Sequence, residues 1–141
     1  MDAFKVFELY EEGEPVVAPW EADVRLEDLL LEDEYDFDYR AITFPIEEVD
    51  CDLSLDPNPG NDPDCEAERF QFVRDWVADM GGYENAFRRK PPLLLLNDVG
   101  CFLADGRHRL ACAWQAGERE ARMIVGAPKG YVPAIRAAAV V

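Results

Sequence analysis

A run of four leucines, Leu93 to Leu96, constrains the fold of this chain more than any other segment. It follows two prolines and contains no polar position, a pattern typical of a strand that is buried on both faces. The next four residues, Asn97 to Gly100, have turn composition, and Cys101 to Ala104 is again largely apolar. The segment therefore predicts two neighbouring strands joined by a tight turn inside a hydrophobic core.

The hairpin leads into Asp105-Gly106-Arg107-His108-Arg109, and a helix is expected from about Arg107 to Ala116, with Gly117 as its stop. The first N–H groups of a helix lack internal partners and, with the helix dipole, attract phosphate. Exposed arginines at this position would oppose the dipole unless an anion is bound, so Arg107 and Arg109 are expected to grip a phosphate. All five residues are candidate phosphate-binding residues, with ordinary surface or ion-pair roles as the alternative for the arginines.

Two members of this motif have further alternatives. Asp105 could cap the helix, pair with one of the arginines, or ligate a metal ion that bridges phosphates. His108 is the one histidine of the chain, and histidine suits proton transfer or a hydrogen bond to phosphate at neutral pH. It is a candidate catalytic residue, although a lone histidine can equally be structural.

The remaining pattern mixes helices and strands. The most clearly marked helix is capped by Asp62, begins with Pro63, repeats apolar residues at Phe70, Val73, Val77 and Met80, and ends at Gly81-Gly82. Trp76 and Trp114 are expected in the core. The other expected elements are a strand at Phe4–Tyr10 with a turn at 11–15, a helix at 25–34, an edge strand or flexible segment at 33–39, strands at 41–44 and 121–125, a loop at 55–62 and a basic hinge at 88–92.

The chain has 141 residues and a formal net charge of −16, and the charge is unevenly distributed. Residues 1–68 carry 23 acidic and 3 basic groups, a balance of −20, whereas residues 69–141 carry 7 acidic and 11 basic groups, a balance of +4. The acidic half could dock on a basic protein partner, cover the chain's own basic site, or simply solubilise the protein. These charges disfavour direct DNA binding, although Arg88, Arg89 and Lys90 could extend a phosphate-tracking surface.

Composition narrows the class of protein. The length suits one compact domain, no stretch approaches a membrane span, and the first residues do not form a signal peptide, so the cytoplasm is the expected location. Four widely spaced cysteines, without a C-x-x-C pair, favour structural or free thiols over a metal site.

The order of elements over residues 69–126 resembles the ParB/sulfiredoxin superfamily, with Pro91 to Leu96, Cys101 to Ala104 and Asp105 to Ala113 carrying the resemblance. The segment Ile42 to Val49 is similar to the strand at which that family's domain begins. The resemblance implies a single α+β domain over residues 41–141, a small mixed sheet packed with helices, and an acidic extension over residues 1–40. It also implies a nucleotide whose phosphates lie at the glycine-plus-basic turn.

For function, the resemblance implies a ParB-like nuclease or NTPase that binds ATP or CTP with Mg²⁺ and, if active, hydrolyses or transfers phosphoryl groups. Because the family places the segment after Pro45 near the nucleotide, Glu47 and Glu48 are candidate catalytic carboxylates. Arg107 stands where sulfiredoxins have a reactive cysteine, so sulfinic-acid reduction is not expected. The alternative function is that of a non-enzymatic acidic protein that docks on a basic, nucleic-acid-binding partner.

Overall fold

The computed structural model describes residues 1–16, 37–57 and 60–133, and this part of the chain forms an α+β domain as expected. Its elements in chain order are helix α1 (Ala3–Glu12), strands β1 (Glu14–Pro15) and β2 (Phe37–Pro45), a 3-10 turn (Ile46–Glu48), helices α2 (Pro63–Met80) and α3 (Tyr83–Arg89), strands β3 (Leu93–Asn97) and β4 (Gly100–Asp105), helix α4 (Arg107–Gln115) and strand β5 (Glu120–Pro128). The helix expected at residues 25–34 lies outside the described residues.

The five strands form one mixed sheet in the order β1-β2-β5-β3-β4. Strand β3 pairs with β5 in parallel, while the other neighbouring pairs are antiparallel, including the predicted hairpin of β3 and β4. The leucine run is buried on both faces of the sheet: Leu94 and Leu96 join the main core cluster, whereas Leu93 and Leu95 pack with Ile124 on the opposite side. This confirms the prediction made from the absence of polar positions.

Helices α2, α3 and α4 enclose a further cluster that includes Phe70, Val73, Val77 and Ala111. The predicted features of α2 are present, because the Asp62 side chain accepts from the backbone N–H of Asp64 and Gly81 ends the helix in a left-handed conformation. Trp76 is half-buried against this cluster, and Trp114 is half-buried against the main core.

The expectation of a strand at Phe4–Tyr10 is wrong, because these residues lie in α1. Asp2 caps the helix by accepting from the backbone N–H groups of Phe4 and Lys5. Val6, Phe7 and Tyr10 then share one helical face and are buried in the main core. The N-terminal helix is therefore part of the domain core, and the expected boundary after residue 40 falls inside β2.

The basic segment before the leucine run also differs from expectation. Arg88 and Arg89 are the last two residues of α3 rather than part of a hinge, and only Lys90 and the two prolines connect to β3. Cations in the last turn interact favourably with the carbonyl end of a helix.

Among the described helices, none has the length and apolar character needed to cross a bilayer.

Candidate functional site

The turn between β4 and α4 is built around Gly106. Its φ of 115° lies in the left-handed region, and a Cβ at this position would lie 2.8 Å from Cβ of Pro92. Both the conformation and the lack of space require glycine. Gly106 is the N-cap of α4 and offers no side-chain hydrogen bond to the helix, so the cap predicted for Asp105 is not formed. No side chain among the described residues caps the first N–H groups of α4.

Asp105 instead pairs with Arg109, which was one of its expected alternatives. Nη2 of Arg109 donates to Oδ2 of Asp105 at 2.8 Å, and Nη1 donates to the carbonyl oxygen of Lys90 at 2.6 Å. Arg109 is only 6% exposed, which corrects the expectation of an exposed arginine. Its guanidinium joins the end of α3 to the start of α4, and its strong donors are used within the protein.

Arg107 is also largely enclosed, and it points towards the loop before α2. Its Nη2 donates to Oδ2 of Asp52 at 3.3 Å and to the carbonyl oxygen of Asp56 at 3.2 Å. Its guanidinium carbon lies 5.4 Å from the centre of the Phe70 ring. Two buried donors, Nε and Nη1, have no hydrogen-bond partner among the described residues, although Nη1 is 3.6 Å from a carboxylate oxygen of Glu66.

The carboxylate that contacts His108 is Glu66. Oε2 of Glu66 lies 3.0 Å from Nε2 of His108, and Oε1 accepts from Nδ2 of Asn61 at 3.3 Å. Glu66 is only 3% exposed. Burial by itself raises the pKa of the Glu66 carboxyl, but the hydrogen bond from His108 and the charges of His108 and Arg107 outweigh it and hold the pKa below its ordinary value. Glu66 is therefore an ionised, buried carboxylate directly behind the histidine.

His108 also lines an open cleft of about 520 Å³. One wall of this cleft is formed by residues of α2, namely Arg69, Phe72, Val73, Trp76 and Met80. The opposite wall comes from the end of α3 and the start of α4, comprising Arg89, Lys90, Asp105, Gly106, His108 and Arg109. Four of the five residues of the predicted phosphate motif thus lie on the cleft, and Arg107 does not.

The cleft combines positive charge with exposed aromatic surface. Within the described part of the chain, the side chains of Arg69, Arg89 and Lys90 have no hydrogen-bond or ion-pair partner. Phe72 is 73% exposed, an unusual position for a large apolar side chain, and Trp76 lies one helical turn further along the same wall. Cations that are free to pair and rings that are free to stack suit a ligand with both phosphate and an aromatic base.

The other two candidate catalytic residues are in the 3-10 turn after β2. Glu48 forms an ion pair with Lys5 of α1, with Nζ 2.7 Å from Oε1, and Glu47 is exposed. Neither residue lines the cleft. Sequence reasoning missed Glu66, although a signal was present: Glu66 precedes Phe70 by four positions and Val73 by seven, so this acid occupies the apolar stripe of α2.

Among residues 1–16, 37–57 and 60–133, no group of three or more His, Cys, Asp or Glu side chains is arranged to hold a metal ion. All four cysteines are free thiols. Comparison of the chain with family models, with curated proteins and with solved structures finds no match in any of the three.

Proposed function

We propose that this protein binds a nucleotide, ATP or CTP, in the cleft between α2 and the start of α4. The observation that carries the proposal is the joint presence on one cleft of a helix N-terminus without a side-chain cap, three cations that have no partner among the described residues, and the aromatic rings of Phe72 and Trp76. The phosphates would lie against the N–H groups of α4 and the side chains of Arg69, Arg89 and Lys90. The base would stack on Phe72 or Trp76.

The resemblance to the ParB/sulfiredoxin superfamily supports the same ligand class, since the family holds nucleotide phosphates at an equivalent glycine-plus-basic turn. The roles change in one respect. Arg107 and Arg109 are engaged by acids and carbonyl groups of the protein, so the phosphate-gripping role proposed for them passes to Arg69, Arg89 and Lys90. Phosphoryl transfer or hydrolysis would be the reaction of such a site, with charge on the transferring oxygens stabilised by these cations.

Magnesium would not be held by a protein cage in this proposal. Asp105, the acid on the cleft wall, is already paired with Arg109, and the described residues contain no cluster of metal ligands. Mg²⁺ in nucleotide enzymes is bound largely through substrate phosphates and water. We therefore assign no ligand in this chain to the ion.

Calorimetric titration with ATP, CTP, GTP and ADP, each with and without Mg²⁺, tests the proposal. The chain offers a matched pair of variants in the last turn of α3. Arg89→Ala removes a cation from the cleft and should weaken binding by about tenfold, the contribution of one charge-assisted hydrogen bond. Arg88→Ala is the control, because Arg88 is exposed, pairs with Glu84 at 3.2 Å and faces away from the cleft, and it should leave the affinity unchanged.

Phe72→Ala tests the base-stacking part of the proposal. Loss of an aromatic stack should cost about 1–3 kcal/mol of binding free energy, while the exposure of Phe72 predicts little change in folding stability. If folded wild-type protein binds none of the four nucleotides, the proposal fails. The acidic half and a basic protein partner, with binding that weakens steeply with salt, would then be the function to test.

A further inference from the structure

The contact between Glu66 and His108 determines which nitrogen of the neutral imidazole carries the proton. An ionised carboxylate can only accept hydrogen bonds, so Nε2 of His108, 3.0 Å from Oε2 of Glu66, has to carry the proton between them. Neutral His108 is therefore the Nε2–H tautomer, and Nδ1 is a hydrogen-bond acceptor. Within the described ranges of the chain, Nδ1 has no hydrogen-bond partner.

The protonation state of Nδ1 determines whether His108 repels a phosphate in the cleft or hydrogen-bonds to it. A phosphate oxygen and an unprotonated Nδ1 are both acceptors and repel one another, whereas a protonated Nδ1 donates a charge-assisted hydrogen bond. The carboxylate behind the ring stabilises the imidazolium that results. Glu66 of α2 contacts His108, and Arg107 of α4 lies near the same carboxylate. The other charged residues that line the cleft with His108 are Arg69 of α2, Asp105 at the end of β4, Arg109 of α4, and Arg89 and Lys90 at the end of α3.

We propose that Glu66 is a positioning residue that fixes the tautomer of His108, and that phosphate binding in the cleft is coupled to the uptake of one proton at Nδ1. The proton comes from the solvent, the neutral imidazole becomes an imidazolium, and no bond in the ligand is broken. This inference rests on the proposed nucleotide site, and it assigns Nδ1 of His108 as an atom that hydrogen-bonds to the phosphate. Protonation of His108 therefore depends on the phosphate group of the ligand and not on its base.

Because the chain has one histidine, nuclear magnetic resonance of the untagged, ¹⁵N-labelled protein observes this imidazole alone. Long-range ¹H–¹⁵N spectra report the tautomer and the protonation state directly. At about pH 7.5, we expect the Nε2–H tautomer in the free protein and the doubly protonated ring after ATP is added. Adenosine, which lacks phosphate, should not protonate the ring.

Calorimetry in buffers of different ionisation enthalpy counts the protons. Wild-type protein should take up nearly one proton more per bound ATP than His108→Gln, and proton exchange by the ATP phosphates themselves is common to both titrations. Glu66→Gln should bind with reduced uptake and with a mixture of tautomers. If Glu66→Gln does not fold, the wild-type spectra still test the inference, because they report the tautomer and the protonation state of His108 with and without ATP.

Binding of ATP with the ring still neutral, or an Nδ1–H tautomer in the free protein, would overturn the inference while leaving the nucleotide site intact. Absence of any nucleotide binding would instead overturn the proposed function and, with it, the coupling. In that case the tautomer of the free protein would still report whether Glu66 orients the ring.

Discussion

Nε2 of His108 lies 3.0 Å from Oε2 of Glu66, although the two residues are 42 positions apart in the chain. The contact exists because α2 and α4 pack against each other through Phe70 and its neighbours, with the Phe70 ring 5.0 Å from the imidazole. A carboxylate buried at this helix interface is costly without partners. Its partners are His108 and Asn61, at hydrogen-bond distance, and the guanidinium of Arg107, at 3.6 Å.

Acidification should destabilise the protein partly through Glu66. Burial raises the pKa of Glu66, but His108 and Arg107 lower it by more than burial raises it. The pKa of Glu66 is therefore lower in the folded protein than in the unfolded chain. The stabilisation is fully present above the pKa that Glu66 has in the unfolded chain. It is lost as the pH falls through the folded-state value. Urea unfolding from about pH 7 to about pH 3 should therefore show a shallower decline in Glu66→Gln than in the wild-type protein.

Glu68→Gln provides the comparison for that experiment, since it removes an exposed acid from the same helix. Its pH dependence should follow that of the wild-type protein. Equal slopes in all three proteins would show that Glu66 does not form its ion pairs in solution.

Gly106→Ala should lower the free energy of unfolding by about 1–3 kcal/mol or more, because it combines a left-handed φ with a contact of 2.8 Å to Pro92. Gly117→Ala is a matched comparison. Gly117 also has a positive φ, of 97°, but no described atom lies within 4 Å of an added Cβ. Chemical denaturation of both variants should show the larger loss for Gly106→Ala, and similar losses would mean that the Pro92 contact relaxes easily.

Phe7→Ala tests whether α1 belongs to the core. Phe7 is buried and its ring lies 5.9 Å from that of Tyr10 and 5.7 Å from that of Tyr131. Truncation of such a ring costs about 3–5 kcal/mol, whereas Glu8→Ala, at the adjacent exposed position, should change stability by less than about 0.5 kcal/mol. Thermal or urea unfolding measures both, and a stable Phe7→Ala protein would place α1 outside the cooperative core.

Thiol reactivity should distinguish the cysteines. Burial raises the pKa of Cys101 to about 12 and also raises the pKa of Cys51 and Cys112, while Cys65 is exposed on α2. Since the thiolate is the reactive form, native protein treated with a thiol reagent at about pH 8 should show one rapidly modified cysteine. Cys65→Ser should remove the fast phase, and a fast phase that persists would indicate that another thiol is accessible.

Local sequence patterns were sufficient for several elements. The cap at Asp62 with Pro63, the apolar stripe of α2 and its end at Gly81 depend on residues within a few turns of one another. The hairpin at Asn97–Gly100 and the buried leucine strand follow from equally local rules. The short apolar run at Phe4–Tyr10 was ambiguous between helix and strand, and the burial of one helical face against the sheet decided it.

For the candidate site, local sequence was enough to predict that a glycine turn and the start of a helix follow the hairpin, because turn conformation and helix capping are local properties. Which side chains face the cleft depends on contacts between distant parts of the chain. Arg107 and Arg109 look equivalent in the sequence, but Asp52 and the end of α3 draw their guanidinium groups into the protein, whereas Arg89 and Lys90 are left on the cleft wall. Charged side chains pair with the groups that lie near them in space, whatever their separation in the chain. Helix packing brings Glu66 to His108 from 42 positions away, a separation that no local sequence pattern spans.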